Sequence, residues 1–135
     1  MPKEILGTVQ VPAQDLPVVA NADVVVIGGG TAGFVAAIAA ARSGARTLLV
    51  ERMGYLSGAL SGTYATNPGH FGDSDRRQVI GGIPWEFMER MEQAGAAIIH
   101  RETWRVQTFP EAAKAVALEM VVEAGVQLYL HSWAN

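Results

Sequence analysis

Cysteine is absent from this chain of 135 residues. Its absence excludes disulfides, thiolate metal sites, iron–sulfur clusters and cysteine nucleophiles. Positive charge is scarce as well: 10 Lys and Arg stand against 13 Asp and Glu, for a net charge of −3. A chain without a basic footprint is not expected to bind nucleic acid. Long apolar runs are also lacking. Val24 to Ala41 is an uncharged stretch of 18 residues, at the lower edge of membrane-spanning length. Three consecutive glycines, Gly28 to Gly30, interrupt it and six of its residues are alanine, so the Leu, Ile and Phe density that favours insertion is missing and no membrane span is expected. Near the start, Lys3 and Glu4 are followed by Gly7, Gln10, two prolines and Asp15. That order is unlike a secretion signal, and a cytoplasmic location is the default expectation.

Apolar residues make up 50% of the chain and charged residues 17%. The balance predicts a packed core rather than disorder, and the length suits a single domain. Pro2, Pro12 and Pro17 keep residues 1–21 extended, as an arm with a short strand near Ile5–Val11. Val24 to Ile27 is a β-branched run stopped by glycine, the pattern of a strand buried in a parallel sheet. Thr31 to Ser43 reads as a helix ended by Gly44, and Arg46 to Val50 as a second buried strand. Together they predict a strand–helix–strand unit with parallel strands and a right-handed crossover. From Arg52 to Gln78 periodicity is lost, and a loop this long is uncommon inside a compact domain. A helix over Ile83 to Ala94 follows, then one or two short strands within Ala96 to Val106. A last helix begins at Pro110 and runs to about Glu123, and the final strand spans Val126 to Leu130.

Gly28-Gly29-Gly30-Thr31-Ala32-Gly33 matches G-x-G-x-x-G. The hexapeptide alone is a weak signal, but its setting is the one its mechanism needs: strand before, helix after, second strand, then an acid. Gly28 allows the tight turn, Gly30 lets a pyrophosphate approach the backbone, and Gly33 lets the helix press on the sheet. The N–H groups of the first helical turn then form an anion site. Glu51 lies 18 residues beyond Gly33, where a carboxylate can accept hydrogen bonds from both ribose hydroxyls and repel a 2′-phosphate. The adjacent Arg52 weakens that discrimination. A purely structural reading remains beside this one, with glycines that only turn the chain and a solvated Glu51.

From Val11 onward the chain resembles bacterial FAD-dependent oxidoreductases related to the succinate dehydrogenase and fumarate reductase flavoproteins. The resemblance is carried by Pro12-Ala13, Leu16 to Val19, Ala22 to Gly30, Ala36 to Gly44, Leu48 to Arg52, Leu56-Ser57-Gly58 and Gly81 to Pro84. It implies an α/β, Rossmann-like FAD/NAD(P)-binding three-layer fold with a parallel central sheet, truncated relative to a typical member. Residues 22–135 would be a partial FAD-binding domain. Gly28, Gly30, Thr31, Ala32 and Gly33 would hold the FAD pyrophosphate, and Glu51 the ribose with Arg52 beside it. The loop Leu56 to Ala59, with Gly58, would run along the pyrophosphate toward the flavin. Many relatives carry a second glycine where this chain has Ser57. The last strand resembles the one that leads to the family's adenine contact.

Other candidates favour plain readings. His70, in the loop aimed at the flavin, is read first as an exposed loop residue and second as a group that orients substrate. His100 and His131 lack partners at metal-ligand spacing, so no metal site is expected. Asp73, Asp75, Arg76 and Arg77 read as a solvated turn. Trp85, Met88 and Met91 read as core, while Trp104 and Trp133 are left unassigned, with cover for exposed sheet open to Trp133. Catalytic residues cannot be assigned, and no serine has a nucleophile-elbow setting. Three functions stay open: the FAD-binding portion of an oxidoreductase of unknown substrate, a non-catalytic dinucleotide-binding remnant, and a minimal NAD-binding domain. A parallel sheet without its usual covering layer is expected to expose apolar surface and self-associate as a homodimer.

Overall fold

In the computed structural model, residues 7, 8, 10, 13, 15–69 and 71–134 are described. The expected strand near Ile5–Val11 therefore lies largely outside the described residues. Residues 15–22 form neither helix nor strand, as Pro17 predicts.

Strand β1 (Val24–Ile27) leads into helix α1 (Thr31–Arg42) and strand β2 (Thr47–Val50). The two strands pair in parallel, with Val24 opposite Thr47 and Ile27 opposite Val50. Asp23 and Arg46 lock this register at its N-terminal end. Asp23 Oδ1 accepts from the Arg46 guanidinium at 2.7 Å and Oδ2 accepts the Arg46 main-chain N–H at 2.9 Å. The side-chain hydrogen bond from Arg46 is the main cause that lowers the Asp23 carboxyl to about 2. After α1 the chain turns at Gly44, whose N–H donates to Ala41 O while Ala45 N–H donates to Ala40 O. Gly95 and Gly125 close the next two long helices through the same pair of bonds.

The aperiodic stretch after Arg52 holds one short helix, α2 (Ala59–Gly62). Sequence reading misses it because four residues are too few to show a period. Helix α3 (Gly82–Gln93) follows, then β3 (Ala97–His100), β4 (Arg105–Thr108), α4 (Pro110–Glu123) and β5 (Gln127–Tyr129). Strand β5 pairs in parallel with β2, giving the order β1-β2-β5. The ambiguous Ala96–Val106 segment resolves into β3 and β4, a separate antiparallel pair with Ala97 opposite Thr108.

One core binds these parts. Val26, Leu49 and Leu128 share a sheet face and join a cluster with Phe34 and Ile38 of α1, Phe87 and Met91 of α3, and Ala117 and Met120 of α4. The Phe34 and Phe87 rings meet edge to face at 5.1 Å. Trp85 lies 5.5 Å from Phe71 and 5.4 Å from Trp104, so it belongs to the core side as expected. At the rim, Glu86 of α3 takes Arg42 of α1 in two hydrogen bonds, and Arg90 bridges Glu86 to Glu123 of α4. Arg42 is the main reason that the Glu86 carboxyl titrates below its ordinary value. The opposite sheet face is only partly covered: Val25 is 53% exposed and Ile27 60%. Apolar surface is therefore exposed, as expected. Trp133 lies beside Ile27 at the edge of this face but leaves it largely open, being 71% exposed with the Arg52 guanidinium 5.6 Å from its ring.

Candidate functional site

Between Ile27 and Thr31 the chain must leave a strand and start a helix. Gly28 makes this possible with φ 95°, a conformation unfavourable for any residue with a Cβ. Its N–H donates to Val50 O at 2.8 Å, extending the β1–β2 ladder into the turn. Gly33, in the first turn of α1, sits against that same residue. A Cβ there would overlap the Gly28 carbonyl oxygen and lie 2.9 Å from its carbon. The partner that Gly33 approaches is thus the turn itself, with Val26 Cγ1 behind it at 3.6 Å.

Gly30 is different. Its φ of −65° suits any residue, and a Cβ there would meet no atom within 4 Å. Packing within the protein gives no reason for glycine at this position. Its effect is to leave space in front of α1. The helix has no side-chain cap and no acid in its first turn. Phe34 N–H donates to Gly30 O at 3.1 Å, so the N–H groups of Thr31, Ala32 and Gly33 precede the first helical bond. Three uncapped donors with a helix dipole behind them attract an anion. The arrangement fits a pyrophosphate.

Glu51 follows β2 and is 8% exposed, not a solvated strand-end charge. Its Oε2 accepts the Gly29 N–H at 2.5 Å and its Oε1 accepts the Met53 N–H at 2.7 Å. Each oxygen keeps one further lone pair for a ligand hydroxyl. Its carboxylate is therefore also a brace that fixes the middle of the glycine turn. Gly29 is the residue whose role sequence reasoning left out. A Cβ there would overlap Leu56 Cδ2 and sit 3.3 Å from Glu51 Cβ.

A second segment closes on the turn from the far side. Ser57 N–H donates to Gly29 O at 2.9 Å, and Thr31 Oγ1 donates to Ser57 O at 3.2 Å. Gly58 has φ 56°, and a Cβ there would stand 3.0 Å from Gly30 Cα and 3.3 Å from Thr31 N. Gly28, Gly30, Thr31, Gly33, Glu51 and Gly58 thus converge on one small region. Arg52 is exposed beside it. With Trp133, Ser132, Glu51, Val50 and Ile27 it borders a cleft of about 150 Å³ adjoining Gly28.

Other sequence candidates fall elsewhere. His70 lies outside the described residues. His100 Nδ1 is 3.7 Å from Glu102 Oε1, and His131 packs its ring by Gly54. Asp73 Oδ1 caps the N–H groups of Asp75 and Arg77 at 2.9 and 2.8 Å, making an exposed charged turn as expected. A wider cleft of about 530 Å³, lined by Asn67, His100, Glu102 and Arg105 among others, includes none of the glycine-turn residues.

The family model described as "FAD dependent oxidoreductase" matches residues 23–135. No curated protein sequence matches the chain. Among solved structures, the THI4 protein of Thermovibrio ammonificans superposes with a TM-score of 0.53 at 18% identity, over 81% of this chain and 38% of that one. The 3-ketosteroid-delta4-(5alpha)-dehydrogenase of Rhodococcus jostii RHA1 gives a TM-score of 0.51 at 18% identity, over 82% and 38%. At these identities the likeness shows the fold, a Rossmann-type α/β arrangement. The chain spans 38% of the length of each of these two proteins.

Proposed function

This chain belongs to the FAD-dependent oxidoreductase family, and from that membership we propose that residues 22–135 hold the ADP half of FAD, with 1–21 an arm preceding that domain. Gly30 carries the reading: it is a glycine that the protein's own packing does not need, set before three uncapped N–H groups. In this reading Thr31, Ala32 and Gly33 donate to the pyrophosphate, and Gly28 and Gly58 keep side chains out of its way. The remaining lone pairs of Glu51 accept the ribose hydroxyls, and a 2′-phosphate would meet its negative charge. Ile27, Val50 and Trp133 supply apolar walls for adenine, with Arg52 stacked on the indole. Bound FAD would supply hydride chemistry, while these residues bind and orient it.

Calorimetric titration with ADP, FAD and NAD tests this. ADP and FAD are expected to bind, and Gly30→Val is expected to abolish both while leaving the circular dichroism unchanged. Binding of NAD in preference to FAD would favour a minimal NAD-binding domain. Absence of binding by all three would defeat the cofactor reading for this chain.

We also propose that the chain associates as a homodimer through the sheet face that bears Val25. Parallel sheets are ordinarily covered on both faces, and this side chain is more than half exposed. Light scattering at high concentration should give a dimer mass that falls to the monomer in Val25→Lys. A monomeric mass for the unaltered chain would refute association.

A further inference from the structure

Ser57 is a serine in a glycine's conformation. Its φ is 69°, in the left-handed region that L side chains disfavour, yet its exposure is 0% and that of Ser61 is 1%. Buried hydroxyls need partners. Here Ser57 Oγ and Ser61 Oγ are hydrogen-bonded to each other, Ser57 lying just before α2 and Ser61 within it. The backbone of Ser57 is engaged on both sides, its N–H on Gly29 O at 2.9 Å and its carbonyl under Thr31 Oγ1 at 3.2 Å. The next residue, Gly58, is pressed so closely on Gly30 and Thr31 that a Cβ would lie 3.0 Å from Gly30 Cα. A relaxed φ at Ser57 would swing Gly58 away from that position.

We propose that the Ser57–Ser61 hydroxyl pair is a positioning device for the dinucleotide site. It holds a non-glycine residue at positive φ, and so sets the separation between the Gly58 backbone and the first N–H groups of α1. The pair takes over a job that a second glycine would do by conformational freedom alone. Its link to ligand affinity rests on the dinucleotide reading above; its link to loop geometry does not.

Two double variants separate the device from ordinary packing. Ser57→Ala/Ser61→Ala and Ser57→Gly/Ser61→Ala both remove the hydroxyl pair and leave no buried hydroxyl unpaired. They differ by one methyl group at position 57 and by how readily that position adopts positive φ. The glycine variant is expected to bind ADP as the unaltered chain does, and the alanine variant about tenfold more weakly. Amide hydrogen exchange at position 57 should be slow in the unaltered chain and the glycine variant and fast in the alanine variant. A role in stability alone would move the melting temperature but not the affinity of the folded protein. Equal ADP affinity and equal exchange in the two variants would overturn the proposal. Should the unaltered chain bind no ADP, the dinucleotide reading fails, and exchange at position 57 by itself decides for or against the clamp. If the alanine variant does not fold, Ser57→Gly/Ser61→Ala against Ser61→Ala makes the same comparison: rescue of protection supports the clamp and its absence overturns it.

Discussion

The Glu51 carboxylate and the Gly29 main-chain N–H are joined by a buried hydrogen bond of 2.5 Å across 22 residues of sequence. It ties the end of β2 to the middle of the glycine turn, and the second carboxylate oxygen holds Met53 N–H at 2.7 Å. Glu51→Gln replaces one acceptor by a donor, so one of these N–H groups would face an NH₂. A loss of about 1.5–3 kcal/mol is expected from charge-assisted hydrogen bonds of this kind, read by urea unfolding. ADP affinity should fall with it. Unchanged stability would show that the brace is dispensable.

Gly33 and Gly30 should respond oppositely to alanine. At Gly33 the added methyl overlaps the Gly28 carbonyl, which is backbone and cannot swing aside. Overpacking of about 1–3 kcal/mol is expected. At Gly30 the methyl enters open space, and the change at an N-cap glycine should stay below about 1 kcal/mol. Thermal unfolding of the two variants checks the contrast, and equal losses would contradict it.

The Asp23–Arg46 pair makes stability depend on pH at the acid end. Folding lowers the Asp23 pKa from its ordinary 3.8 to about 2. The contribution is therefore fully present above about pH 4 and is lost as pH falls through about 2. Asp23→Asn should be less stable than the unaltered chain at neutral pH, and the gap should close between pH 4 and pH 2. Both side chains are exposed, so the gap is small and should shrink further in high salt. A gap that is constant down to pH 2 would mean that pairing is not its source.

Phe87 is 2% exposed and meets Phe34 edge to face, joining α3 to α1. Phe87→Ala should cost about 3–5 kcal/mol through lost transfer energy and a cavity. Chemical denaturation measures it, and a loss below about 1 kcal/mol would show that the α1–α3 contact repacks freely.

How much of this was legible in the residues differs by feature. The run Val24–Ile27, the three glycines after it and the acid at 51 predicted β1, the turn, α1 and β2 within a residue or two, because strand, turn and helix there are set by local chain chemistry. The helix stops at Gly44, Gly95 and Gly125 were equally readable, since each glycine closes bonds to carbonyls only a few residues back. Helix α2 was not, being four residues long and held by contacts with α4 rather than by its own pattern.

The candidate site divides along the same line. Composition and spacing alone determined that the chain carries a strand–glycine turn–helix unit followed by an acid, because these depend on which residues lack a Cβ and which carry charge. Tertiary structure decided what those residues do to one another. It made Glu51, read from the sequence as a ribose ligand or else a solvated charge, a brace on Gly29 as well, and it gave Gly33 the carbonyl of Gly28 as its neighbour. It also brought Ser57 and Gly58 onto the turn. None of that is encoded at short range. Segments some 22 to 28 residues apart meet there because the β1–β2 pairing and the packing of Leu56 against Gly29 bring them together.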